Sequence, residues 1–283
     1  MSQTITRKAP LDACTLSLDD MKNLYQKLSR SIVEASEFER KKWTPPQDEN
    51  KLDDFNSFIK QRCDAYQITV VINGARGETL VDRNDSVFAS PNLPENITSI
   101  YFTSTSMYET AFNYKPAHFF ILNIDFNKPP LIDFSTSPSI ATPNGSFIEI
   151  AGESENWVAG VFEIVKSKVQ AKDNKRAWLH KALVYDAVLW FIVFPLAFYV
   201  CYSVEGVVQH KIDYRYVKIG LIFYSFFLVI NLYRMFFSYT KWAFPKMELA
   251  ARYSTTAMHR KWWFAISTGM VVCILWNVLA RLF

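Results

Sequence analysis

Residues 183–200 read LVYDAVLWFIVFPLAFYV, and two similar runs follow, LIFYSFFLVINLY at 221–233 and FAISTGMVVCILWNVLA at 264–280. A helix needs about 20 consecutive apolar residues to cross the roughly 30 Å hydrocarbon core of a bilayer. The alternative, central helices of a large soluble core, seldom requires apolar runs of this length. The sequence therefore predicts three transmembrane spans, Ala182–Val204, Val217–Tyr239 and Trp262–Phe283.

The residues that flank these runs predict the orientation of the chain. Arg7 and Lys8 are followed by no apolar run, so the N-terminal region lacks the pattern of a secretory signal. Lysine and arginine are enriched on the cytoplasmic side of spans. A cluster of them precedes the first span: Lys166, Lys168, Lys172, Lys175, Arg176 and Lys181. We therefore predict a multi-pass protein of the inner (plasma) membrane whose N-terminal domain is cytoplasmic.

The net charge of +4 is the sum of an acidic N-terminal part and a basic C-terminal part. Residues 1–165 hold 15 Lys and Arg against 22 Asp and Glu, whereas residues 166–283 hold 16 against 5. An acidic domain is a poor binder of nucleic acid, because phosphates demand clustered basic side chains. The basic half is better suited to anionic lipid headgroups. Membrane lipids are thus the expected partners, and direct nucleic-acid binding is not expected.

The region before the first run has the pattern of an α+β domain. Ser17 and Asp20 form a capping box, and Met21, Leu24 and Leu28 begin a stripe with helical spacing. A second amphipathic helix follows near Leu52. After this helix the sequence consists of short runs rich in residues that favour β-strands, namely ITVVI at 68–72, ETLV at 78–81, ITSIYFTS at 97–104, HFFILNIDF at 118–126 and SFIEI at 146–150. We predict two N-terminal helices and a small sheet, followed by an all-α transmembrane bundle.

These patterns divide the chain into three parts. Residues 1–165 form a cytosolic α+β sensor or interaction domain, and residues 182–283 form the membrane domain. Between them, residues 154–181 form a stalk or juxtamembrane helix that overlaps the end of the first domain. An ordinary core helix that breaks at Asp173–Asn174 is an equal alternative to the stalk.

No motif of enzyme chemistry occurs in the chain. The phosphate-binding loop, the dinucleotide fingerprint, the zinc-protease helix and the nucleophile elbow are all missing. The four cysteines contain no close pair, which excludes a zinc finger or a CxxC redox motif. We therefore expect no enzymatic activity, no cofactor and no metal.

Two sets of polar residues are candidates for function. Arg76, Asp82 and Arg83 lie around a predicted hairpin and are either ligand-binding residues or a solvated loop, the latter being favoured. The second set lies within the apolar runs: Asp186, Asn231 and Asn277. Intramembrane carboxylates and amides are costly to bury, so they commonly contact another helix. We predict that this second set makes polar contacts in a bundle, although Asp186 also lies one turn from Lys181 and could pair with it or with His180.

Two functions follow from this layout. In the first, the cytosolic domain senses a partner protein or a signal, and the spans of a homo-oligomer then permeabilise the inner membrane. Three short spans cannot enclose a water-filled path alone, so a pore requires several copies. In the alternative, the spans only anchor an interaction or scaffold module that has no pore activity.

The order of a motif-poor cytosolic domain and a compact membrane region resembles that of bacterial abortive-infection membrane effectors, such as those of retron or cyclic-oligonucleotide defence systems. The resemblance is one of plan and covers the whole chain, without a family motif. It implies a toxic membrane activity that an upstream sensor releases during phage infection, which would place the effector function in antiviral defence.

Overall fold

The computed structural model of the protein describes residues 4–131, 142–172, 177–250 and 255–282. The chain forms two compact units. Unit 1 consists of Met1–Asn127, Asn144–Asn174 and Met247–Ala251, and unit 2 consists of Lys128–Pro143, Lys175–Lys246 and Arg252–Phe283.

Unit 1 is built on an antiparallel sheet of six strands. Their bounds are β1 (Ile5–Pro10), β3 (Thr69–Gly74), β4 (Thr79–Asp82), β5 (Ile97–Thr103), β6 (Phe119–Asp125) and β7 (Phe147–Gly152). The spatial order is β1-β7-β6-β5-β3-β4, so β1 and β4 are the edges. Successive side chains of a strand point to opposite faces. In β6, Phe120, Leu122 and Ile124 are accordingly buried, whereas the residues between them are partly exposed.

Helices cover the buried face of this sheet. They are α1 (Leu18–Lys41), α2 (Leu52–Asp64), α3 (Ser106–Phe112) and α4 (Glu155–Gln170). The predicted capping box is confirmed: Ser17 Oγ accepts a bond of 3.1 Å from the Asp20 amide, and Asp20 Oδ2 accepts one of 2.9 Å from the Ser17 amide. From α1, Met21, Leu24 and Leu28 enter the core.

The helix predicted as a stalk contributes to the core of unit 1. Trp157, Val161, Val165 and Val169 of α4 are buried, and α4 packs against α1 and β7. The helix ends at Gln170, and residues 173–176 lie outside the described residues. A turn of 3-10 helix, Ala177–His180, follows them.

A second, two-stranded sheet of unit 1 joins distant parts of the sequence. β2 (Cys14–Leu16) pairs in parallel with β8 (Met247–Leu249), which begins more than 230 residues later. Cys14, Leu16 and Met247 are each at most 3% exposed, and Cys14 Sγ lies 3.8 Å from Met247 Sδ. A strand from the C-terminal quarter of the chain therefore completes the core of the N-terminal unit.

Unit 2 consists largely of helices. These are α5 (Ala182–Val188), α6 (Phe194–Lys211), α7 (Arg215–Ala243) and α8 (Thr255–Leu282). A π-helical turn, Leu189–Val193, connects α5 and α6 into one continuous run of 30 residues. Pro195 lies two residues after the end of this turn, in the first turn of α6. Because proline lacks an amide proton and clashes with the preceding turn, a locally wider helix accommodates it.

The predicted fold class is wrong in two respects. The sheet is not small, since six antiparallel strands span much of the chain, and the region after it is not an all-α bundle, since β8 follows α7. Strand β1 escaped prediction because its sequence, ITRKAP, shows no apolar alternation: it is an exposed edge strand. Strand β8 has only three residues, which is too short to leave a periodic signal.

The prediction of a multi-pass inner-membrane protein with three spans is also wrong. Within the described residues, two helices are long and apolar enough to cross a bilayer, Ala182–Lys211 and Arg215–Ala243. The α+β unit, rather than a set of spans, accounts for most of the ordered strands and helices.

Candidate functional site: an apolar helical hairpin

The continuous helix of α5, the π turn and α6 packs against α7 as a hairpin. The seam contains small side chains: Ala197 and Ser225 are buried, and Cys201 Sγ lies 3.5 Å from the Ser225 hydroxyl and 3.5 Å from the Ile222 carbonyl oxygen. Small residues let two helix backbones approach closely. The hairpin therefore holds together through its seam.

Away from the seam, the hairpin exposes large apolar side chains. In the most apolar segment of each helix, only 11% of the first and 6% of the second is buried. A helix in the core of a soluble protein would be mostly buried. The exposed side chains include Trp190, Phe191, Phe198, Tyr202, Phe223, Tyr224, Phe227 and Leu232. Large exposed apolar surfaces are typical of regions that bind lipid or another protein.

Aromatic and basic residues lie at both ends of α7. Tyr216 and Lys218 lie near its start, and Tyr239, Lys241 and Trp242 lie near its end. At 1.5 Å per residue, the distance from Tyr216 to Tyr239 is about 35 Å along the helix. This length is close to the roughly 30 Å thickness of a bilayer's hydrocarbon core. Tyrosine and tryptophan are residue types that are enriched at bilayer interfaces.

The side chain of His180 forms a hydrogen bond with the residue that follows the end of α7, Phe244. The carbonyl oxygen of Phe244 lies 2.7 Å from His180 Nε2, and the Thr142 hydroxyl lies 3.0 Å from Nδ1. Because a carbonyl oxygen only accepts, Nε2 carries a proton. Burial lowers the pKa of His180; the bond to Phe244 opposes this effect, and the nearby charges of Lys241 and Lys246 add to it. The ring is therefore neutral at pH 7 and accepts from Thr142.

Further bonds link the end of α7 to α8. Trp263 Nε1 donates to the Thr240 hydroxyl at 2.7 Å, and the Tyr239 hydroxyl donates to the carbonyl oxygen of His259 at 3.1 Å. Arg260 Nε donates to the Ala243 carbonyl oxygen at 3.0 Å. At this end of the hairpin, polar and aromatic side chains thus connect α7 to α8, whereas the rest of the hairpin surface is largely apolar.

A cavity of about 800 Å³ lies among the helices of unit 2. Its walls come from the 3-10 turn, α5, the π turn, α6, α7 and α8, and they are almost entirely apolar. The volume falls within the range of roughly 300–1,000 Å³ that is typical of small-molecule sites. The space is partly open to the outside, since some of its wall residues, such as Ile192 and Leu232, are themselves exposed on the hairpin.

The predicted bundle residues make no hydrogen bonds to one another among the described side chains. Asp186 is half-buried on α5, and Asn231 is exposed on α7, where Asn231 Nδ2 donates to the Phe227 carbonyl oxygen of its own helix at 2.8 Å. No hydrogen bond joins Asp186 to Asn231 in the part of the chain that is described. His180, a suggested partner of Asp186, directs both ring nitrogens elsewhere. The Asn277 side chain lies outside the described residues. Contacts in an oligomer stay a prediction.

The predicted hairpin residues of unit 1 are engaged locally. Arg76 and Glu95 are 3.8 Å apart, with side chains 74% and 81% exposed. Asp82 Oδ1 accepts from the amides of Arg83 at 2.6 Å and Asn84 at 3.3 Å, as in a turn. These contacts suit a solvated loop, and ligand binding by Arg76, Asp82 or Arg83 stays a prediction.

Sequence reasoning missed a buried charged network in unit 1. Glu39 on α1 and Arg62 on α2 are 4% and 8% exposed, and Arg62 donates to Glu39 Oε1 at 2.8 Å. The Tyr108 hydroxyl donates to the same oxygen at 3.0 Å, Tyr66 donates to Oε2 at 3.3 Å, and Arg62 also donates to the Tyr114 hydroxyl. The dense tyrosines of the sequence were the available signal, but their convergence on one carboxylate depends on the fold.

Charge and hydrogen bonding determine the ionisation of this network. Burial alone would raise the pKa of Glu39, but hydrogen bonds from Arg62, Trp43 and Tyr108 outweigh it and hold the pKa below its ordinary value. Glu39 is therefore ionised and paired with Arg62 at neutral pH, a state that does not suit proton transfer. Among the described residues, no group of three His, Cys, Asp or Glu side chains is placed to hold a metal ion.

Comparisons of the chain with protein-family models, curated proteins and solved structures find no match.

Proposed function

We propose that this chain is a membrane-anchored interaction protein. The hairpin of α5–α7 inserts into lipid, and the α+β unit binds a protein partner at the membrane surface. The observation that carries the proposal is the exposure of the two apolar helices, of which only 11% and 6% is buried. Exposure of such apolar surfaces to water is unfavourable, and their transfer into lipid removes this cost in free energy.

Four further observations support lipid as that environment. Each helix has about the length needed to cross a bilayer, and aromatic and basic residues lie at both ends of α7. The helices lie at residues 182–243, far from the position of a secretory signal. Unit 1 has its own core of completely buried side chains, including Ile72, Phe102 and Phe120, and so does not need the hairpin to bury its apolar face.

Flotation with lipid vesicles tests the anchor. We expect the full chain to float with phosphatidylcholine–phosphatidylglycerol vesicles after removal of detergent. Phe223 and Phe227 are 63% and 58% exposed on α7. The double substitution Phe223→Asp with Phe227→Asp should abolish flotation, because each aspartate costs about 2.5–3.5 kcal/mol at the centre of an inserted helix.

A matched pair on unit 1 provides the control. Val33 and Val81 are 59% and 57% exposed, so Val33→Asp with Val81→Asp adds the same charge to a similarly exposed surface. This variant should float like the wild type. Equal flotation of the Phe223/Phe227 variant, or no flotation of the wild type, contradicts the anchor.

A further inference from the structure

His118 is a buried histidine of unit 1 that directly precedes β6 and is 2% exposed. Its ring stacks on Phe38 of α1 at a centroid distance of 5.1 Å, and Trp157 of α4 packs edge-on at 5.2 Å. Gly152 of β7 also lies against the ring, since an added Cβ atom there would come within 2.8 Å of His118 Cδ2. The imidazole is therefore tightly packed between α1, α4 and β7.

The hydrogen bonds of the ring define its tautomer. Nε2 lies 3.3 Å from each of two backbone nitrogens, those of Glu153 and Ser154, in the turn that leads into α4. Because these amides donate, Nε2 carries the lone pair, and the single proton of the neutral ring is on Nδ1. Among the described residues, Nδ1 has no hydrogen-bond partner. His118 therefore accepts both bonds only while its ring is neutral.

A protonated ring would be unfavourable at this position. Both nitrogens of an imidazolium carry protons, so Nε2 would lose its two bonds and would point a proton at the two amides. The carboxylates that face the ring are already paired. Glu153 lies 2.8 Å from Lys42 Nζ, and Glu39 accepts from Arg62 at 2.8 Å. An imidazolium would thus be buried without a carboxylate of its own.

The groups around the ring have opposing effects on its ionisation. Burial lowers the pKa of His118, and the charge of Lys42 adds to this effect, whereas Glu153 and Glu39 oppose it. The Tyr66 hydroxyl is hydrogen-bonded to the backbone of His118, and burial raises the pKa of this hydroxyl, so it stays uncharged. The net effect is a pKa of His118 below its ordinary value, and the ring is neutral at pH 7.

We propose that His118 is a pH-sensitive contact, which holds the turn before α4 only while the ring is neutral. In a state where this turn has opened, the ring regains the ordinary histidine pKa of about 6.5. The closed state then binds fewer protons than the open state. Its stability is therefore fully present above about pH 6.5 and is lost as the pH falls toward the lower pKa of the closed state. This inference concerns unit 1 and does not depend on the membrane anchor.

Nitrogen NMR of the full chain in detergent micelles tests the tautomer. The chain has four histidines, so labelling histidine with ¹⁵N gives few signals, and loss of one signal in His118→Gln assigns it. We expect a proton on Nδ1 and titration at lower pH than His210, which is exposed on α6. A proton on Nε2, or titration of His118 at or above the pH of His210, overturns the inference.

Hydrogen–deuterium exchange of the same chain tests the opening of the turn. In peptides that cover residues 150–158, protection is corrected for the intrinsic exchange rate at each pH. It should fall by up to about tenfold per pH unit below pH 6.5, because one unit of pKa difference corresponds to a factor of ten. His118→Gln should remove this dependence, since an amide oxygen accepts the same bonds without titrating in this range. His210→Gln should retain it.

A second pair of variants keeps the inference testable if His118→Gln fails to fold. Lys42→Gln removes the cation near the ring, so the pKa of His118 should rise toward its ordinary value and the loss of protection should become smaller. Lys41→Gln is the matched control, because Lys41 is exposed at the same end of α1, and it should behave like the wild type. Protection that does not change with pH in the wild type, or equal pH dependence in Lys42→Gln and Lys41→Gln, overturns the inference.

Discussion

Arg62 lies at the centre of the buried charged network of unit 1. Besides Glu39 and the tyrosines, its guanidinium lies 4.7 Å from the centres of the Trp43 and Phe58 rings. Removing one partner of a buried ion pair leaves the other charge without compensation. We therefore expect Arg62→Ala to lower the free energy of unfolding of unit 1 by about 3 kcal/mol, as measured by urea denaturation of the full chain.

Lys60→Ala is the control for this measurement, since Lys60 is exposed on the same helix. It should change the free energy of unfolding by less than about 0.5 kcal/mol. An equally small effect of Arg62→Ala would show that water enters the network and replaces the lost charge.

Asp20 gives unit 1 a defined dependence on pH. Burial alone would raise the pKa of Asp20, but Lys168 at 2.6 Å and hydrogen bonds from Ser17 lower it to about 2. The unfolded pKa is about 3.9, so the stabilising contribution is present above that pH and is lost as the pH falls toward 2. Thermal unfolding followed by circular dichroism should show this loss in the wild type.

The substitution Asp20→Asn removes the titrating group and should reduce the fall in melting temperature between pH 4 and pH 2. The neighbouring Asp19→Asn keeps the Lys168 contact and should retain the wild-type profile. Identical profiles for Asp20→Asn and the wild type would assign the acid sensitivity to other carboxylates, such as Glu39.

At the scale of elements, the stability of unit 1 depends on the short strand β8, which follows the hairpin in the chain and pairs with β2. Met247 is 3% exposed and packs against Cys14. We expect Met247→Ala to cost about 2–3 kcal/mol in the unfolding of unit 1, because truncation leaves a cavity in its core. Met258, 60% exposed on α8, is the control as Met258→Ala. Equal stability of the two variants would show that β8 is dispensable.

The predictability of each element follows from its local signal. Helix α1 carries a capping box and an apolar stripe, and α6 and α7 carry long apolar runs, so all three leave patterns in the sequence. Strands β1 and β8 leave none, because one is an exposed edge and the other has three residues. Their positions depend on partners distant in sequence, namely β7 and β2.

At the scale of the whole molecule, the permeabilising effector stays a prediction beside the proposed anchor. The flotation experiment distinguishes them when the vesicles contain a self-quenched dye. An anchor leaves the dye enclosed, whereas an oligomeric pore releases it. Asn231 already bonds within its own helix, so a pore that depends on its contacts would require this bond to exchange for one between copies.

The amino-acid sequence by itself determined the α+β character of the N-terminal region, the apolar helices and their basic flanks, because these depend on residues near one another in the chain. Tertiary structure decided the six-stranded sheet, the return of β8, the burial of Glu39 with Arg62 and the apolar cavity. Each of these joins residues far apart in sequence, and only the folded chain brings them within contact distance. The candidate site was accordingly predicted as apolar helices, whereas its cavity was not.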